Sequence, residues 1–196
     1  MKNNSIVDDS TSKENSFTMR LFTSSWELIK SVIYAIAIVV LIQHFVVLPT
    51  IVSGDSMKST MINNERFLSL KAIYYFSDPQ QGDIITFHAS EVNDYVKRVI
   101  ALPGQVVEIK SNVVYIDGSP LPEKYLLPIR EYYAQNGTSV IMKDFGPYSV
   151  PSGSYFVMGD NRPNSFDSRD FGAIKKSKII GKAVISFWPL DKIRFL

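Results

Sequence analysis

Read as a pattern of apolar and polar positions, the chain changes texture twice. Residues 1–18 are polar, with Asn3, Asn4, Ser10, Thr11, Ser12, Asn15 and Ser16 among few apolar positions. That composition predicts a disordered tail, because it buries too little to offset the entropy of ordering. A long apolar run follows. No Asp, Glu, Lys or Arg stands between Lys30 and Asp55, and residues 31–52 place Val, Ile, Leu and Phe on nearly every helical face. As a helix this run spans roughly 33 Å at ~1.5 Å per residue, against a hydrocarbon core of ~30 Å. The expectation is a transmembrane helix with its flank over 19–52, ended or kinked near its outer end by Pro49. A buried helix of a soluble domain is the plainer alternative. A cleaved signal peptide fits less well: the run exceeds the usual core of about 7 to 15 residues, and Leu48-Pro49-Thr50 is no small-x-small site. Arg20 and Lys30 precede the run, which favours a cytoplasmic N-terminus and an extracytoplasmic domain; the expected location is a plasma membrane, crossed once.

From Ile51 onward, short runs of β-branched and aromatic residues are broken by Gly, Pro, Asn and Asp. Strands are expected at 66–70, 83–88, 95–101, 106–109, 113–116, 155–158 and 179–187. With tight turns such as Leu102-Pro103-Gly104 and Asp117-Gly118, they predict a mainly β domain over 53–196, antiparallel and barrel-like or sandwich-like. Residues 119–148, with Pro120, Pro122, Pro128 and Asn136-Gly137, interrupt that rhythm as an insertion or small cap.

Composition acts mainly by exclusion. A chain of 196 residues, 45% hydrophobic, has room for one ordinary domain plus an anchor. With 21 basic against 19 acidic residues it lacks the electrostatic footprint of a nucleic-acid binder, so no nucleic-acid partner is expected. The absence of cysteine removes disulfides, thiolate nucleophiles and cysteine-ligated metals.

Candidate chemistry lies in three segments. The first is Ser53-Gly54-Asp55-Ser56-Met57-Lys58, directly after the apolar run, where Ser56 is a candidate nucleophile at the water edge of a bilayer. A serine needs a base. His88 is the one histidine of the β-rich part, and lysine is the other option when burial leaves its amine neutral. In Tyr95-Val96-Lys97-Arg98-Val99 the alternation of a strand puts Tyr95, Lys97 and Val99 on one face, otherwise apolar. Lys58, among Asp55, Ser59 and Thr60, is expected to stay solvated and charged. Taken singly, each of these residues is more often an ordinary surface group. The third segment, Gly159 to Asp170, is the densest polar cluster. As a calcium loop it fails, having Ser165 and Phe171 where glycine and glutamate are needed. Arg162 and Arg169 instead suggest an internally paired loop.

In order and spacing these segments resemble the membrane-bound type I signal peptidases, the Ser-Lys endopeptidases that remove signal peptides from exported proteins, and most of all the short Gram-positive forms. The resemblance rests on the span, Ser53-Gly54-Asp55-Ser56-Met57, Gly82-Asp83, Tyr95 through Gly104, and Gly159-Asp160-Asn161-Arg162 through Arg169. It implies that Ser56 attacks the scissile carbonyl, that neutral Lys97 takes its proton and later protonates the leaving amine, and that the Ser56 N–H holds the oxyanion. It further implies that Ser165 orients the lysine, that Arg98 pairs with Asp160, and that Asp167 with Arg169 braces the loop. No metal and no cofactor are expected. The implied partners are the lipid bilayer and signal-peptide-bearing preproteins, with small side chains one and three residues before the cut. Such a substrate would lie extended beside the Ser56 segment and Asp94, Tyr95 and Val96.

Two positions depart from the family pattern: Ser59 stands where proline is common, and Gly54 where Gram-negative members carry a hydroxyl. Two rivals are weighed. Self-cleaving repressors of the SOS type share a Ser-Lys β-fold but need a DNA-binding segment where this chain has a span. A non-catalytic relative that binds or chaperones exported or pilus proteins would have no need of both Ser56 and Lys97.

Overall fold

The computed structural model describes residues 8–196, with side chains from Trp26 onward. Residues 1–7 of the expected tail lie outside the described residues, and 8–18 belong to the backbone of a long helix, α1 (Asp8–Phe45). The chain divides into a unit ending at His44 and a second from Phe45 to Leu196. Within α1, Trp26–Phe45 is long and apolar enough to cross a membrane.

The helix does not continue to Val52. Proline at 49 lacks the amide hydrogen that a helical turn needs and disfavours helical geometry in the residue before it. Val47–Ile51 instead forms β1, antiparallel to β2 (Arg66–Leu70), in the register Val47↔Leu70 to Ile51↔Arg66. The rest of the second unit comprises α2 (Ile73–Phe76), β3 (Ile84–His88), β4 (Asp94–Ala101), β5 (Val106–Lys110), β6 (Val113–Ile116), β7 (Ser119–Pro120), α3 (Leu127–Gln135), β8 (Phe145–Ser149), β9 (Ser154–Met158), α4 (Ser168–Phe171), β10 (Ile174–Lys175), β11 (Ile179–Trp188) and β12 (Arg194–Phe195). The seven expected strands are β2, β3, β4, β5, β6, β9 and β11. The expected insertion holds α3, and its end runs into β8.

The larger sheet has the order β1-β2-β11-β3-β4-β9-β10, with β12 on β11; the smaller has the order β7-β6-β5-β8. All pairings are antiparallel, so the mainly β antiparallel class is what forms. The central strands are covered on both faces: Ile84 packs with Val52, Met57, Met61 and Phe67, whereas its neighbour Ile85 packs with Phe87, Val99 and Val157. Strands in that position read as continuous apolar runs. A charged residue there is buried whichever way it points, and β4 carries two in succession, Lys97 and Arg98.

Candidate active site

Ser56 sits in a compact turn after β1. The turn is pinned by Met57 and Met61, both fully buried, and by backbone hydrogen bonds from Lys58 N–H to Asp55 C=O (3.0 Å) and from Met61 N–H to Met57 C=O (2.8 Å). The two positions that depart from the family pattern both take left-handed backbone, with φ of 92° at Gly54 and 88° at Ser59. Proline holds φ near −65°, so this turn could not accommodate one at 59.

The loop after β9 holds the turn from the other side. Asn161 donates from its backbone N–H to Ser56 C=O (2.9 Å) and from its side-chain amide to Asp55 C=O (3.0 Å), while Tyr133 OH of α3 donates to Asn161 Oδ1 (2.9 Å). Neither Asn161 nor Tyr133 is singled out by the sequence reading. Their role depends on contacts between distant segments, and only the position of Asn161 within the polar cluster hints at it. Gly159 has no room for a side chain: a Cβ would lie 2.3 Å from Ser165 Oγ and 2.4 Å from Ser56 C=O.

Lys97 reaches Ser56 across this junction, with Nζ 2.7 Å from Oγ. Its side chain is buried and meets no carboxylate at ion-pair distance among the described residues. Burial lowers the amine to about 8; Asp167 and Asp160 oppose the shift through space and Arg169 adds to it. Lys58, by contrast, lies with Nζ 3.9 Å over the Tyr132 ring, and its pKa is raised, chiefly by that tyrosine. His88 pairs with Asp94 (2.7 Å) at the exposed end of β3, while Ser56 Oγ meets Lys97.

The bracing pairs expected from the loop are formed. Arg98 clasps Asp160 with Nε to Oδ1 at 2.9 Å and a terminal nitrogen to Oδ2 at 2.6 Å, and Thr60 Oγ1 donates to the same carboxylate (2.5 Å). Arg169 grips Asp167 through two contacts of 2.8 Å, and Asp167 in turn accepts from Gly159 N–H (3.0 Å). Arg162 pairs with Glu123 of the insertion, a contact that no motif in the sequence signals. Ser165 is the exception: its hydroxyl is buried, and it makes no hydrogen bond to Lys97 or to any other described group.

A groove of about 280 Å³ opens onto Ser56 and Lys97. One wall is Thr50 to Met57, the other Asp94, Tyr95 and Val96, and Asn164 and Phe166 complete the lining. Among the described residues, no cluster of His, Asp or Glu has the arrangement of a metal site.

Comparison with known proteins bears on this arrangement. Residues 25–188 match the family model described as signal peptidase, peptidase S26. Signal peptidase I S of Bacillus subtilis is 39% identical over 169 residues, covering 86% of this chain and 91% of that one. Signal peptidase I of Bacillus licheniformis is 38% identical over 189 residues, covering 95% and 97%. The crystal structure of a signal peptidase I from Enterococcus faecalis, 37% identical, covers 54% of this chain and 97% of that one with a TM-score of 0.48. With the family model spanning most of the sequence and these relatives matched over nearly their full length, the chain belongs to the signal peptidase family, peptidase S26.

Proposed function

We propose that this chain is a membrane-anchored serine endopeptidase that removes signal peptides from exported preproteins, with Ser56 as nucleophile and Lys97 as general base. The observation that carries the reading is the 2.7 Å contact between Ser56 Oγ and a buried lysine that has no carboxylate partner among the described residues. A lysine is a base only when deprotonated, and burial is the physical means of making it so. At about 8, roughly a tenth of the amine is neutral at pH 7 and half at pH 8.

Neutral Lys97 accepts the Ser56 proton as Oγ attacks the scissile carbonyl carbon. The Ser56 N–H, which has no acceptor among the described residues, donates to the oxyanion. The Lys97 ammonium then gives its proton to the departing amine, leaving an acyl-serine. Water, deprotonated by the regenerated amine, hydrolyses the ester and frees Ser56. Residues before the cut lie extended between the two walls of the groove, with small side chains one and three residues upstream. The helix Trp26–Phe45 anchors the chain, with the N-terminus cytoplasmic and the β-rich domain over 53–196 extracytoplasmic. There the domain meets cleavage sites as they emerge from the bilayer. Ser165, whose hydroxyl is enclosed beside Gly159, is assigned the role of orienting the lysine that the family resemblance implies.

The test is cleavage of a reporter preprotein by the full chain in lipid vesicles. Ser56→Ala and Lys97→Ala should each abolish cleavage while the protein stays folded and membrane-bound. The wild-type rate at limiting substrate should rise with pH through about 8. Undiminished cleavage by either variant would sink the dyad.

A further inference from the structure

A second, larger cavity of about 450 Å³ lies beside the groove, and the two share Tyr95 and Phe166 as a common wall. Its volume falls within the range of about 300–1,000 Å³ typical of ligand-holding clefts. Aromatic rings run through it from the groove inward: Phe166 to Phe171 at 5.5 Å, Phe171 to Phe87 at 6.3 Å, and Phe87 back to Tyr95 at 6.2 Å between centroids. Phe87 and Ile174 are buried beneath, whereas Phe166 is 60% exposed. The basic groups on its lining are Lys175, Lys178 and His88. Both lysines are exposed, and neither makes an ion pair among the described residues; His88 is engaged with Asp94. The cavity therefore joins an aromatic surface to polar groups such as Ser90 and Asn93, and its lining carries two lysines without ion-pair partners among the described residues.

That chemistry favours one side of the cut. A signal peptide offers basic residues, an apolar core and small residues up to the cleavage site, none of which answers the charge of the two lysines. Residues after the cut are under no such restriction. Building on the Ser56-Lys97 reading, we infer that this cavity receives the first residues after the scissile bond and favours an acidic side chain there. Phe166 and Tyr95 form the threshold that the chain crosses, and Lys175 and Lys178 supply the attraction. The cavity thus makes the enzyme sensitive to the start of the exported protein as well as to the end of its signal peptide.

The experiment uses full-length enzyme in vesicles and synthetic peptides that share one cleavage sequence. They differ only in carrying glutamate, glutamine or lysine within the first three positions after the cut. Wild-type kcat/KM should favour glutamate over glutamine by about three- to tenfold, the scale of one or two exposed ion pairs. The ratio should shrink toward one in molar salt and in Lys175→Ala/Lys178→Ala. Lys175→Glu/Lys178→Glu should reverse it in favour of lysine. A wild-type ratio near one, or a ratio that survives both double variants, overturns the inference. Cleavage of the glutamine peptide by wild type and its loss in Ser56→Ala report separately on the dyad, so absent charge preference with intact cleavage defeats the cavity assignment alone.

Discussion

The two faces of β4 treat a buried cation in opposite ways. Lys97 and Arg98 are consecutive, and both are buried, with relative exposures of 4% and 8%. Arg98 is met by Asp160 in a two-point clasp and by the Gly82 carbonyl at 2.8 Å. Lys97, one pleat away, has a serine hydroxyl and the Tyr95 ring, 5.3 Å from Nζ to the centroid, as its polar and ring partners among the described residues. Arginine keeps its charge under all ordinary conditions, so its burial calls for a carboxylate. Lysine can shed its proton, and a face that withholds the carboxylate leaves it disposed to do so. The strand turns one cation to the loop of Asp160 and the other to Ser56, where by the proposed mechanism it gains and loses a proton, and its alternation keeps the two apart.

The sharpest way to break this comparison is to exchange the chemistry of Lys97 for that of its neighbour. Lys97→Arg keeps a positive charge but cannot act as a base, and activity should fall by about 10⁴-fold, no better than alanine. Retention of more than about a tenth of wild-type kcat/KM would show that the charge, and not deprotonation, matters. Removing the partner on the other face comes next. Asp160→Asn leaves Arg98 buried without its counter-charge and should cost about 3–5 kcal/mol in urea unfolding, in line with other broken buried pairs.

A third change reverses the sign. In the folded chain the Lys97 amine sits at about 8, below its ordinary 10.5. Protonation therefore opposes folding, fully below pH 8 and not at all above about 10.5. Lys97→Met should be inactive yet more stable at pH 7 by about 2–3 kcal/mol, with the gain fading between pH 8 and 10.5. Equal stability at pH 7 would mean that the site does not strain against its lysine. The smallest effect belongs to Tyr133→Phe, which deletes one hydrogen bond to Asn161. It should lower kcat about three- to tenfold with little change in KM, at a stability cost of about 1 kcal/mol.

The strands that carry the dyad could be read from the sequence because β-branched runs bounded by turn residues fit little else. Lys97 was legible because Tyr95 and Val99 flank it at strand spacing on an apolar face. β1 was not, because Val47–Ile51 continues the apolar run and only its pairing with β2 makes it a strand. α3 was hidden among prolines, although Pro128 sits in its first turn, where helices tolerate it. The short strands β7, β10 and β12 depend wholly on their neighbours. Within the site, Asn161 and Tyr133 could not be foreseen because their partners lie 106 and 28 residues away. The family resemblance implies that Ser165 touches the lysine, whereas its hydroxyl is enclosed without a partner among the described residues.

The distances along the chain between these partners set an order of events in folding. Ser56 and Lys97 are 41 residues apart, Arg98 and Asp160 are 62 apart, and the Asn161 contact with Asp55 spans 106. Contacts of such separation form late, because each must first close a long loop of chain. Residues 159–161 cannot support the Ser56 turn until β9 has paired with β4. A partly folded molecule therefore holds the serine and the lysine without the geometry that joins them. The geometry of the proposed dyad therefore depends on completion of the sheet.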